Sequence, residues 1–178
     1  MMDLLMVPGL TGSGAGHWQT LWRNANLWWG CVEQRDWDNP EPEEWMKTLD
    51  RCVARRNGAV VLVAHSLGCL TVARWAGRYD TSRVAGAVLV APCDADDPGA
   101  PAEIKGFSPM APVRLPFPSL VIASNDDPWI SPATAEELAR GWGSRMVSIG
   151  EAGHINTASG HGEWPEGLEL VCGFVDGL

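Results

Sequence analysis

Residues 59–64 read Ala-Val-Val-Leu-Val-Ala and run without a polar break into His65-Ser66-Leu67-Gly68, then into a helix-period stretch ending in Ala73-Arg74-Trp75. Continuous apolar runs of this length suit strands covered on both faces, the pattern of a parallel sheet rather than a half-solvated antiparallel one. Gly86-Ala87-Val88-Leu89-Val90-Ala91 and Leu120-Val121-Ile122-Ala123-Ser124 have the same character. The strands expected on this basis cover 4–7, 31–34, 59–64, 85–91, 119–124 and 145–149. Helices are expected over 43–56, with Trp45, Leu49, Cys52 and Val53 on one face, and over 67–79, directly after the serine. A third covers 133–142, opened by Ser131 as N-cap and Pro132 at the first helical position, and a last helix runs from Pro165 toward Phe174. Trp22 also falls in a helical segment. Strand and helix in alternation imply right-handed crossovers and a doubly wound α/β sheet of about six mainly parallel strands with helices on both faces.

A chain of 178 residues, 46% hydrophobic and 20% charged, buries a core as a single domain spanning 1–178. Its net charge of −9 disfavours nucleic acid and anionic membrane surfaces as partners. No apolar run approaches the roughly 20 residues of a membrane helix, and the opening Met-Met-Asp-Leu-Leu-Met-Val-Pro-Gly lacks the charge and length of a signal peptide. A cytoplasmic protein is expected. The five cysteines have no Cys-x-x-Cys spacing, so reduced buried thiols are expected, with no disulfide framework and no metal site. His161 and Glu163 alone do not make a metal site. Residues 92–118 hold seven prolines and little periodicity. That segment reads either as a small lid over the strand ends or as a surface excursion.

Ser66 sits where a strand turns at once into a helix. A serine hydroxyl is a poor nucleophile unless a base adjoins it and the substrate can reach it. A tight strand-to-helix turn raises the side chain above the sheet edge and presents helix N–H groups to a reacting carbonyl. Such a turn needs small residues two positions before and after the serine, here Ala64 and Gly68, with alanine in place of the usual first glycine. The reading then requires an acid after a later strand and a histidine after the next, in that chain order. Ser124-Asn125-Asp126-Asp127 follows one strand, and Glu151-Ala152-Gly153-His154 follows the next. Ser66, Asp127 and His154 are therefore the candidate catalytic residues, with Asp127 preferred over Asp126 because Asp-Pro-Trp-Ile-Ser-Pro resembles the Asp-x-x-Val-Pro continuation of many α/β-hydrolases. His65 is expected to point away from Ser66 and pack, and His17 either to line the pocket or to brace its loop.

Backbone N–H groups must stabilise the developing oxyanion. Leu67, after the nucleophile, supplies one. The glycine-rich stretch Pro8-Gly9-Leu10-Thr11-Gly12 supplies the second, at Leu10 or, failing that, Thr11. That loop lacks the lysine and spacing of a nucleotide-binding loop. Trp18, Trp129, Asn156 and, less directly, Trp164 are candidates to line the acyl pocket. No cofactor is required.

The stretches VPGLTGSGAGHWQTLW, VAHSLGC, LPFPSLVIASNDDPWIS and GEAGHINTASGHGEWPEG resemble the retinoblastoma-binding-protein-9-like (YdeN-type) serine hydrolases. The resemblance covers essentially the whole chain. It implies a compact α/β-hydrolase fold without a large cap domain, a triad at Ser66, Asp127 and His154, and hydrolysis of a small-molecule acyl substrate, an ester or small amide. The same triad would serve an amidase, a peptidase or an acyltransferase, and the scaffold would also serve a protein-binding module. Oligomeric state is not encoded in these features.

Overall fold

The computed structural model describes residues 3–110 and 113–178. Its elements alternate as β1 (Asp3–Val7), α1 (Trp18–Ala25), β2 (Gly30–Cys31), α2 (Pro42–Ala54), β3 (Val60–His65), α3 (Leu67–Ala76), β4 (Val84–Val90), β5 (Ser119–Ala123), α4 (Pro132–Trp142), β6 (Arg145–Ser148) and α5 (Pro165–Asp176). The strands form one six-stranded sheet in the order β2-β1-β3-β4-β5-β6, every neighbouring pair parallel. This is the compact α/β-hydrolase architecture, with no cap domain among the described residues.

Alternation along each strand sorts the core into two layers. Leu5, Leu62, Leu89 and Val121 face one side, where Trp45, Leu49, Leu70 and Trp142 of α2, α3 and α4 cover them. Met6, Val63, Val88 and Ile122 face the other, against Trp18 and Trp22 of α1 and Val171 and Phe174 of α5. Both faces are dry, which is why these strands carry almost no polar positions. Helix ends follow local chemistry. The Ser131 hydroxyl accepts the Thr134 N–H, Pro132 opens α4, and Gly143 closes it in the left-handed conformation.

Two expectations need correction. The strand expected over 31–34 pairs only at Gly30 and Cys31, with one further bond from Val32 N–H to Met6 O. Beyond it the chain leaves the sheet because Gln34 is buried against α2, its amide donating to Trp45 O. The thiols are unpaired, but only Cys69 and Cys93 are buried; Cys172 is exposed on α5. The proline-rich segment carries a 3-10 helix over Ala102–Phe107. Its Ala111 and Pro112 lie outside the described residues. No described helix is long and apolar enough to cross a membrane.

Strand order reverses between β1 and β3, since β1 leads outward to β2 while β3 leads the other way through β4, β5 and β6. Open α/β sheets bind ligands at such a crevice, beyond the strands' C-terminal ends. Here α3 starts so close to the end of β1 that a Cβ on Gly68 would lie 2.1 Å from Val7 O. Gly68→Ala is therefore expected to destabilise the fold by about 2–3 kcal/mol, measured by urea unfolding; an unchanged midpoint would contradict this packing.

Candidate active site

Ser66 stands at φ +53°, ψ −123°, between the last residue of β3 and the first of α3. A non-glycine residue is strained there. The strain is held by the Ser66 N–H bond to Val90 O and by the Cys69 N–H bond back to Ser66 O. The turn lifts the hydroxyl to the sheet's C-terminal edge, 2.9 Å from His154 Nε2. His154 Nδ1 in turn lies 2.9 and 3.0 Å from the two carboxylate oxygens of Asp127. Since Nδ1 faces a carboxylate it carries the proton, which leaves Nε2 bare to accept from Ser66. Asp127 and His154 are both buried. Asp127 also accepts the Trp129 N–H, which fixes its carboxylate plane.

Asp126, the competing acid, has other work. Its carboxylate accepts from the Ser124 hydroxyl and the Gly153 N–H, both at 2.7 Å, and these donors hold its pKa below the usual carboxylate value. It braces the loop that carries His154 and does not touch the imidazole.

The chain of hydrogen bonds opens into a cavity of about 530 Å³, within the range of small-molecule sites. Ser66, Leu67 and His154 form its floor, and Leu10 and Thr11 one side. Asp94, Asp97, Ala100, Pro101 and Ile104 of the proline-rich segment form its outer wall. Trp129 and Asn156 also line it. Trp129 is half-exposed with its ring 6.4 Å from that of His154, whereas Asn156 uses its carbonyl to cap the 3-10 helix Thr157–Ser159. Of the two oxyanion candidates in the first loop, the Thr11 N–H is committed to Trp37 O. Among the described residues, no acceptor takes the Leu10 N–H.

Trp18 does not line the cavity. It is fully buried, packs 4.6 Å from the Trp22 ring and donates its Nε1–H to Ile155 O at 2.9 Å. Its indole belongs to the core because α1 begins there and turns this face onto the sheet. Trp164 is likewise buried, stacked on Trp22. His65 borders the cavity but packs against the base loop, its Nε2–H donating to His154 O at 2.9 Å. His17 both lines the cavity and caps α1, accepting the Gln19 N–H at Nδ1. Its proton therefore sits on Nε2, a buried donor with no acceptor among the described residues. The bracing roles of His65, Trp18 and Asp126 leave no mark in the local sequence, because their partners lie 27 to 137 residues away.

A family model described as serine hydrolase matches residues 4–172. The chain belongs to the serine hydrolase family. A YdeN-like protein from Pectobacterium atrosepticum is 31% identical over 99% of this chain and 91% of its own, with a TM-score of 0.87. The ydeN gene product of B. subtilis is 20% identical over 99% of this chain and all of its own, at a TM-score of 0.76. An esterase from Thermogutta terrifontis shares the fold at 17% identity, covering 99% of this chain and 90% of its own, with a TM-score of 0.70. No curated protein matches the chain significantly. This serine hydrolase is thus of the YdeN type, in line with the sequence resemblance.

Burial, with the neighbouring His154 adding to it, lowers the pKa of His17 to about 4, and His65 is pushed well below its ordinary value for the same reasons. Both rings stay neutral at neutral pH. The unfolded chain takes up these protons near pH 6.5 while the folded one does not, so the stabilisation is complete above that pH and is lost as the pH falls toward 4. His17 alone accounts for roughly 3 kcal/mol over that window. Urea unfolding between pH 7.5 and 4.5 is expected to show the decline, and His17→Gln to reduce it, leaving the share that His65 contributes.

Proposed function

We propose that this serine hydrolase cleaves a neutral carboxylic ester, or a small amide, through an acyl-enzyme on Ser66. The observation that carries the reading is the unbroken hydrogen-bond chain from Ser66 Oγ through His154 to Asp127, with Ser66 and His154 lining an open cavity. In this mechanism His154 Nε2 takes the Ser66 proton as Oγ attacks the carbonyl carbon, and Asp127 keeps the imidazole in the productive tautomer. The oxyanion receives the Leu67 and Leu10 N–H groups, each donor worth roughly 3 kcal/mol in systems of this kind. His154 then hands its proton to the leaving alcohol or amine. A water, deprotonated by His154, attacks the acyl-enzyme and frees Ser66. No cofactor enters any step.

The cavity supports a substrate class. Leu10, Ala100, Pro101, Ile104, Pro128 and Trp129 give it apolar walls, suited to small or medium acyl groups, while Asp94 and Asp97 supply negative charge with no lysine or arginine among the lining residues. Like charges brought together at a binding site carry an energetic penalty. A neutral butyrate ester is therefore expected to be hydrolysed at least about tenfold faster in kcat/KM than the matched hemisuccinate; equal rates would remove the acidic wall from the reading. Five unpaired cysteines support a reducing, cytoplasmic location as part of the same proposal.

Cys93 adjoins Ser66 and lines the same cavity, but burial pushes its thiol up to about 12, so it stays protonated and a poor nucleophile. Iodoacetamide is expected to modify exposed Cys172 first and to leave activity intact. A fluorophosphonate probe is expected to label the wild type and to fail on Ser66→Ala and His154→Ala, with ester hydrolysis falling roughly 10⁴-fold or more. Well-folded wild type that neither labels nor turns over a panel of esters, amides and aminoacyl substrates would point to a binding module on a hydrolase scaffold.

A further inference from the structure

The proposed base is carried by a loop whose backbone is unusually constrained. Ile155, directly after His154, has φ +48°. A β-branched residue in the left-handed region is a genuine outlier, and it persists only where surrounding contacts over-determine it. Those contacts are specific. Ile155 is fully buried on the α1/α5 side of the sheet. Its N–H donates to Ala152 O, and its carbonyl accepts the Trp18 indole N–H at 2.9 Å. One residue earlier, His154 O accepts the His65 ring N–H, also at 2.9 Å. The Ala152 and Gly153 N–H groups are held from β5's end by Ser124 and Asp126.

The left-handed turn has a geometric consequence. It sends the Ile155 side chain into the core while the preceding imidazole faces Ser66. If the turn relaxes, the imidazole rotates with the backbone that bears it. Trp18 and His65 lie edge-on, with ring centroids 5.9 Å apart, and the His65 ring lies 4.9 Å from that of His154. The two donors therefore form one packed unit beneath the base. Trp18 lies outside the cavity and His65 borders it; each acts on the base through the carbonyl it holds.

We infer that Trp18 and His65 are positioning residues for His154, their ring N–H groups clamping the carbonyls of residues 154 and 155 and so maintaining the left-handed turn that aims the imidazole at Ser66. This rests on the Ser66–His154–Asp127 mechanism proposed above. The clamp acts equally on free enzyme and on every intermediate, so its loss reduces the chemical step and leaves substrate binding nearly unchanged.

The test uses Trp18→Phe and His65→Phe, which keep a ring and remove the donor, and His65→Gln, whose amide restores a donor at the position of Nε2. With a neutral ester, kcat is expected to fall roughly 10- to 100-fold in both phenylalanine variants, with KM shifting less than about threefold and His65→Gln recovering most of the loss. The downfield proton resonance of His154 Nδ1–H, read by NMR on free protein, is expected to broaden or vanish in the phenylalanine variants and return in His65→Gln. Should Trp18→Phe fail to fold, the two His65 variants decide alone. Folded phenylalanine variants with wild-type kcat and resonance, or a glutamine variant as impaired as the phenylalanine one, would overturn the clamp. Wild type that neither labels with fluorophosphonate nor hydrolyses the ester would instead overturn the mechanism it serves.

Discussion

The first turn of α3 lies almost in van der Waals contact with the end of β1, and the rest of the site is arranged around that approach. Gly68 has no room for a side chain beneath Val7 O, and a Cβ on Gly9 would meet both His65 O and the Ser66 side chain at 2.9 Å. Because β1 and β3 are adjacent parallel strands in register from Asp3 to Val7, the loop after one and the elbow after the other are forced together at the reversal of strand order. The proximity accompanies the strained backbone of Ser66 and brings Leu10 and Leu67 to the same cavity. Replacing the small residues at this junction would displace the hydroxyl and the amides together.

Electrostatics follow from burial around this junction. Three imidazoles pack in sequence, with centroids of His17 and His65 4.8 Å apart and those of His65 and His154 4.9 Å apart. Protonating all three in so small a volume would be prohibitive. Desolvation instead holds His17 and His65 neutral, so only the ring paired with Asp127 is left to carry charge during the proposed reaction. Proton bookkeeping at the site is thereby reduced to a single group.

The sheet and the candidate triad were legible in the sequence because both depend on local pattern. Unbroken apolar runs marked β3, β4 and β5, and Ser66, Asp127 and His154 each follow a strand at short distance. The edge strand β2 was less legible, since burial of Gln34 against α2, a tertiary event, ends its pairing early. Trp18 was misread for the same kind of reason. Its neighbours in sequence belong to the loop beside the cavity, but α1 rotates its indole into the core, where its partner is Ile155, 137 residues away. Asp126 and His65 were set aside as bystanders to Asp127 and Ser66, and what they hold is backbone, which has no sequence signature.

The indole bond between Trp18 and Ile155 also bears on when the site comes into being. Local contacts form early in folding, while pairings between distant segments wait for the intervening chain to be ordered. Here α1 near the start of the chain must already be docked before the loop after the final strand can adopt its left-handed turn. A partly synthesised or partly folded chain would therefore hold the serine elbow, which needs β1, β3, α3 and β4, without an aimed base to activate it. Hydrolytic competence would arrive last, as α1 and the loop after β6 close over the same face of the sheet.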